Sequence, residues 1–300
     1  MKIGFSLPQT GGQARQATEI ARYARSAEEL GAASLWVIDR LLAPTDPEVG
    51  YAGSDTFPDE FHELLDPFVV MGVAAAATER VSIGSNVLVA PMYPPAVLAR
   101  SLLTIDQVSG GRFIPGLAAG WSPDEFKAVN VPFTERGKRL DETLDVLDQL
   151  WTADPAEYHG TYWQVPRTHA SLKPVRRLPV YLGGGMSPAA IRRIATRADG
   201  FMPGVVLPFA TDLDALVNQP LARIREVAEE HGRDAGGMDV ILRIYPMQAD
   251  DVTDKVIDMI RRTADETEVD HVLVDLMYQV SDVDGALKRV EAVLAGVGDL

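Results

Sequence analysis

Short apolar runs alternate along the 300-residue chain with longer stretches in which apolar positions recur every three or four residues. The short runs predict strands at Lys2–Leu7, Ser34–Ile38, Val81–Val89, Arg112–Leu117, Pro179–Leu182, Asp199–Met202, Val240–Tyr245 and His271–Leu276. After the first strand, Ala17, Ile20, Ala21, Ala24 and Ala27 form a helical stripe that Gly31 closes. Further helical patterns cover Pro95–Val108, the stripe of Leu140, Leu144, Leu147 and Trp151, and Ile191, Ile194 and Ala195 behind the N-cap pair Ser187-Pro188. Leu213–His231, Val256–Ile260 and Ala286–Leu294 complete the series. Strands so rich in Val, Ile and Leu belong where both faces are buried. Eight βα units in a row predict an α/β chain folded as one (β/α)8 TIM barrel over residues 1–300, with an open doubly wound sheet as the alternative.

Two segments exceed ordinary connection length. Residues 41–66 follow strand two, so they leave from the C-terminal face of a barrel, where active sites sit. They are expected to form a lid-like insertion or plain solvated surface. Residues 152–178 precede strand five and start from the opposite face. Their basic cluster of Arg167, His169, Lys173, Arg176 and Arg177 resembles an anion site, but Arg176 and Arg177 fall at the wrong strand end and are expected to be structural or solvated.

Composition narrows the chemistry. Cysteine is absent, which removes disulfides, thiolate metal sites and a cysteine nucleophile. Forty-three acidic against 28 basic residues give a net charge of −15, a poor match to nucleic acid or an anionic membrane. No apolar run reaches the roughly 18 residues of a membrane span, and the N-terminus lacks a signal peptide's apolar core. A cytoplasmic enzyme acting on a small molecule is the expectation.

The expected strand ends carry few acids or bases. None of the six lysines lies at a C-terminal strand end, which argues against a Schiff-base aldolase. None of the five histidines forms a His-x-His or His-x-x-x-His pair, so no metal site is expected. What remains is Asp39-Arg40 after strand two, Asn86-Val87 in strand three, Gly116–Trp121 from strand four, and Gly183-Gly184-Gly185-Met186 after strand five. The triple glycine before a helix suits either a phosphate cradle or a tight turn. Asp39 is either a cofactor ligand or a cap. Arg40 neutralises Asp39 or holds an anion, and it cannot be a general base because it stays protonated. A barrel with a phosphate cradle and few catalytic groups points to a cofactor that brings its own reactivity.

Several stretches resemble the luciferase-like monooxygenase superfamily of flavin and deazaflavin enzymes. They are Ser34–Asp39, Arg80–Pro91, Thr104–Phe113, Gly116–Trp121, Pro132–Gly137 and Pro179–Gly184. The resemblance implies a luciferase-like barrel binding coenzyme F420, or alternatively FMN, at its C-terminal mouth. It implies an F420-dependent oxidoreductase that moves a hydride to or from a small organic substrate, with an FMN-dependent monooxygenase or a non-catalytic flavin-binding relative as alternatives. By the same resemblance, Asp39 contacts the ring system and Asn86-Val87 carries a non-prolyl cis peptide against it. Ala118, Ala119 and Gly120 form pocket wall, and Gly183, Gly184, Gly185 and Met186 line the cofactor's phosphate or side chain. Deazaflavin members often place a catalytic histidine directly after the strand-two aspartate; here Arg40 stands there and is assigned charge stabilisation instead. Arg243 is the candidate for the cofactor's phosphate, with a buried ion pair as its alternative. Trp121, Tyr93, Phe57 and Phe61 are the candidate apolar wall. A homodimer is a family-level expectation.

Overall fold

A computed structural model describes residues 1–234, 236–247 and 252–298. Eight parallel strands surround a common axis: β1 (Lys2–Ser6), β2 (Ser34–Val37), β3 (Ser82–Ser85, resuming at Leu88–Val89), β4 (Phe113–Ile114, resuming at Gly116–Ala118), β5 (Tyr181–Gly183), β6 (Gly200–Met202, resuming at Gly204–Leu207), β7 (Asp239–Pro246) and β8 (His271–Val274). Each pairs with the next in chain order, and β8 pairs with β1, so the sheet closes on itself. The open-sheet alternative is thereby excluded. One long helix follows each strand: α1 (Ile20–Leu30), α2 (Pro67–Ala77), α3 (Pro95–Ser109), α4 (Arg136–Thr152), α5 (Pro188–Arg197), α6 (Gln219–Glu230), α7 (Thr253–Glu266) and α8 (Val283–Val297). Among the described residues no helix is long and apolar enough to cross a membrane.

The two-residue period of a strand sorts its side chains between two cores. Leu35 and Val37 of β2, Leu242 and Ile244 of β7, and Val272 and Val274 of β8 face the helices and join the main apolar cluster. Trp36, Ile241 and Leu273 alternate with them and meet Ile114, Tyr181 and Met202 in a second cluster that fills the barrel. Trp36 needs room that only glycine leaves. A Cβ on Gly84 would lie 2.2 Å from its ring, and one on Gly4 would lie 2.7 Å from its Nε1. Truncating so fully packed an aromatic costs about 3–5 kcal/mol.

The expected strands are all present, but three are interrupted. The expected run Val81–Val89 breaks at a cis peptide between Asn86 and Val87. Strand four is broken at Pro115, whose missing N–H cannot join a ladder. Strand six extends past Pro203 to Leu207, further than its apolar run predicts. The segment before β5 carries a two-stranded antiparallel hairpin, Ala156–His159 with Gln164–Thr168, which alternation alone did not reveal.

The period also fixes what faces the barrel mouth. Arg243 and Tyr245 lie on the inner face of β7, in step with Ile241. The segment 41–66 is held across that mouth from both ends. Gln9 donates to the carbonyls of Ile38 and Leu65, at 2.8 and 2.9 Å. Within the segment, Phe57 and Phe61 pack with Tyr245 and Met277 in an apolar cluster of their own.

Candidate functional site

A cavity of about 720 Å³ opens at the C-terminal ends of the strands. Its wall includes Asp39, Arg40, Asn86, Val87, Ala118, Ala119, Gly120, Gly183, Gly184, Gly185 and Arg243, eleven of the twelve positions expected to meet the cofactor or its charge. Met186 is the exception and packs against the main core instead. Trp121 and Phe61 also line the cavity, whereas Tyr93 and Phe57 are not among its lining residues.

Asp39 lies two residues beyond the end of β2 and is buried. Its Oδ2 accepts the Val89 N–H at 2.7 Å, and its Oδ1 accepts the Tyr93 hydroxyl at 2.9 Å. Burial pushes its carboxyl up to about 6, against the opposing pull of those two hydrogen bonds. Both oxygens are therefore spoken for by the strand-three region. Asp39 thus ties β2 to the stretch that carries the cis peptide.

Arg40 is paired with Glu125 of the short helix Pro123–Ala128, not with Asp39 as its neighbour in sequence. Glu125 Oε1 also accepts the Leu41 N–H at 2.7 Å, which locks the pair to the start of the 41–66 segment. The guanidinium carbon lies 4.5 Å from the Trp121 ring centre, 5.1 Å from Phe57 and 5.7 Å from Phe61. A cation held by three aromatic faces and a carboxylate is neutralised in place. Glu125 is its ion-pair partner, while its charge also favours the ionised form of Asp39, as the sequence suggests, and its Nε has no hydrogen-bond partner among the described residues.

Arg243 is likewise paired, with Asp275 just beyond β8, and lies over the Tyr245 ring at 4.3 Å. The sequence left a choice between a phosphate ligand and a buried ion pair, and the geometry is that of the ion pair. Beside it the wall holds buried donors without a hydrogen-bond partner among the described residues: Arg40 Nε, Asn86 Nδ2 and Arg243 Nε. Unmatched buried donors are costly and mark where a ligand's acceptors fit.

A different chemistry lines the start of α5. Ser187 caps the helix by accepting the Ala190 N–H at 3.3 Å, with Pro188 in the first turn, as the sequence predicts. Gly184 has φ +145°, open to glycine and rarely to other residues, and a Cβ there or on Gly185 would meet nothing within 4 Å. The backbone is thus bare toward the cavity. Two arginines adjoin it. Arg193 is paired with Asp141 through Nε and Nη2, at 2.6 and 2.9 Å, and its Nη2 also bonds the Gly137 carbonyl. Arg136, at the first position of α4, bonds only the Phe133 carbonyl at 2.9 Å and stacks on the Phe133 ring at 3.9 Å. It has no carboxylate partner among the described residues. Arg136 lies within Pro132–Gly137, a stretch that carries the family likeness but no expected site role. The remote basic cluster behaves as expected, with Arg176 bound to backbone carbonyls of Gly111 and Phe113 and Arg177 paired with Asp199.

Tyrosines complete the mouth. Tyr51 of the 41–66 segment and Tyr245 of β7 both line the cavity, their hydroxyls 2.5 Å apart. Tyr245 was expected only as the end of strand seven and Tyr51 not at all, since a partner 194 residues away leaves no local signal.

Comparison with known proteins agrees with this architecture. The profile described as luciferase-like monooxygenase matches residues 1–280. An uncharacterised protein of Mycobacterium tuberculosis is 32% identical over 213 residues, which is 70% of this chain and 71% of that one. An F420-dependent glucose-6-phosphate dehydrogenase of Amycolatopsis mediterranei is 30% identical over 210 residues, 67% of this chain and 57% of that enzyme. Among solved structures, the monooxygenase RslO1 of Streptomyces bottropensis superposes with a TM-score of 0.78 at 19% identity, covering 97% of both chains. An F420-dependent secondary alcohol dehydrogenase in complex with an F420-acetone adduct gives 0.75 at 18% identity, covering 99% of both. At such identities the two structures speak for the fold alone.

Proposed function

Because the chain belongs to the luciferase-like monooxygenase family and is an oxidoreductase of that family, we propose that it is a coenzyme F420-dependent enzyme transferring a hydride to or from a small organic substrate. The observation that carries this reading is the division of the cavity wall. One part, at Gly184, Gly185 and the N-terminus of α5 beside Arg136, suits a phosphate-bearing side chain. The other, at Asn86-Val87, Ala118–Gly120 and Arg243, offers a flat apolar wall with unmatched buried donors, which suits a ring bearing carbonyl oxygens. Both features fit the deazaflavin.

When bound, that cofactor supplies or accepts the hydride. The chain's own residues bind and orient. Asn86 and Arg243 meet ring acceptors, and Arg136 meets the phosphate. Asp39 acts at one remove, holding the strand-three backbone that forms the wall. Arg40, already neutralised by Glu125, organises the aromatic roof of Trp121, Phe57 and Phe61 under which an apolar substrate is shielded from water.

FMN chemistry is the second reading, favoured by the monooxygenase description of the family. Side-by-side fluorescence titration of the purified protein with F420 and FMN separates the two. Micromolar or tighter binding of F420 alone supports the first reading. A preference for FMN moves the protein to oxygen-dependent chemistry.

A further inference from the structure

The mouth of the barrel contains a row of phenols for which the reading above has no use. Tyr51 Oη lies 2.5 Å from Tyr245 Oη, and Tyr245 Oη lies 3.0 Å from Tyr278 Oη. The row connects two cavities. Tyr51 and Tyr245 line the large cavity, whereas Tyr278 lines a separate one of about 400 Å³ whose wall includes the exposed Arg15. Two hydroxyl-to-hydroxyl steps therefore lead from the substrate chamber to a solvent-facing hollow on the other side of the β7 and β8 ends.

The hydrogen-bond capacities differ along the row. A phenol has one proton to donate and room to accept. Tyr245 is flanked by both other phenols and by Met277 Sδ at 3.5 Å, so its hydroxyl has nothing left for a ligand. Tyr51 has a single hydroxyl partner among the described residues, Tyr245, and its free capacity borders the chamber. Its ring is fixed by Phe61 at 5.0 Å and Trp121 at 5.6 Å. The Arg243 guanidinium over Tyr245, paired with Asp275, keeps the middle of the row in a fixed electrostatic setting.

We propose that Tyr51 is the group that takes or gives the substrate's proton, that Tyr245 and Tyr278 relay it to the surface cavity, and that the substrate is an apolar alcohol or its ketone. The inference rests on the hydride-transfer reading above. In the oxidative direction the carbinol C–H bond breaks and its electron pair leaves as hydride to the oxidised cofactor. The O–H bond breaks as its proton passes to Tyr51 Oη, and the carbon–oxygen π bond forms. Tyr51 gives its own proton to Tyr245, Tyr245 to Tyr278, and Tyr278 to water in the surface cavity. Each phenol ends neutral, and rotation of the three hydroxyls resets the row. Reduction runs the same steps backward.

The test has a cofactor-free arm and a turnover arm. In the cofactor-free protein, proton NMR should show a strongly downfield hydroxyl resonance that Tyr51→Phe and Tyr245→Phe abolish and the distant Tyr158→Phe leaves in place. Absence of that resonance in the wild type overturns the proposal. In turnover with F420 and a panel of apolar secondary alcohols and ketones, Tyr51→Phe should lower kcat by about 100-fold, the ordinary scale of general acid–base catalysis, with cofactor affinity unchanged. Tyr278→Phe should leave cofactor affinity unchanged, slow proton release to a pH indicator relative to cofactor reduction, and raise the solvent deuterium isotope effect. Wild-type turnover that Tyr51→Phe leaves intact overturns the proton role alone. A wild type that binds no F420 overturns the hydride reading, and the proton role falls with it.

Discussion

Arg40 and Glu125 meet as an ion pair whose side chains are only 6% and 2% exposed. Taking one partner away leaves the other charged and dry, which costs about 3–5 kcal/mol where such pairs have been broken. Glu125→Ala should therefore destabilise the protein by about that amount in urea denaturation. It should also free the 41–66 segment, because the same carboxylate accepts the Leu41 N–H. Replacing both partners together, Arg40→Met with Glu125→Leu, should recover a large part of the loss. A double variant no more stable than Glu125→Ala would contradict the pairing as the source of the cost.

The Asp39 carboxyl illustrates the opposite balance. Burial raises it to about 6 from an ordinary value of 3.8, so the folded state binds its proton more tightly than the unfolded chain. Between those two values stability falls as pH rises, and above pH 6 the buried charge costs about 3 kcal/mol relative to acid. In Asp39→Asn the amide oxygen still accepts from Val89, and the amide nitrogen donates to the Tyr93 oxygen. The variant should be at least as stable as wild type at pH 8 and lose its advantage by pH 4. Asp39→Ala, which orphans the Val89 N–H, should be less stable than Asp39→Asn at both. Urea midpoints for the three proteins across this range decide the matter.

The barrel was legible from periodicity because burial on both faces leaves Val, Ile and Leu in the strands whatever they pack against. The sixth strand was expected to end at Met202, yet it resumes at Gly204 beyond Pro203, since a proline interrupts a ladder without having to end the strand. At the site, residues joined to a strand end by a few bonds of chain were placed well: Asp39, Asn86, Val87 and the glycines 183–185 all reach the cavity. Met186 was not, because the chain has begun to turn into α5 and its side chain falls back on the core. The pairings of Arg40 with Glu125 and of Tyr51 with Tyr245 were invisible. Both cross long stretches of sequence, and charge or aromatic character alone carries no address.

At the bottom of the barrel, His271 donates or accepts at the Ser34 hydroxyl, 2.7 Å away, and burial pushes its imidazole down to about 4. The unfolded chain takes up this proton near pH 6.5, the folded protein only near 4. The resulting stability is fully present above 6.5 and is lost as pH falls through the window to about 4, amounting to about 3 kcal/mol. The sign is opposite to that of Asp39, so the two partly cancel in the wild type. Asp39→Asn should unmask it as a steeper loss of stability below pH 6. A shallower acid limb in that variant would show that His271 is not buried as a neutral ring.

Arg136 offers the sharpest test of how the cavity is divided. Two other arginines of the cavity wall, Arg193 and Arg243, are each held by a carboxylate, so removing them disturbs the fold as well as any ligand. Arg136 has only a carbonyl and a ring to hold, and truncating it leaves no buried acid behind. Arg136→Ala should keep the wild-type urea midpoint within about 0.5 kcal/mol, the usual range for a change away from buried contacts. It should weaken binding of F420 or FMN by at least about tenfold, which corresponds to 1.4 kcal/mol. The decisive comparison is with the same cofactors lacking phosphate. If Arg136 meets the phosphate, wild type and variant should bind the dephosphorylated forms equally, and the salt dependence of binding should flatten in the variant. Equal weakening of both forms would instead place Arg136 against the ring or the substrate and leave the glycine-lined start of α5 without its cation.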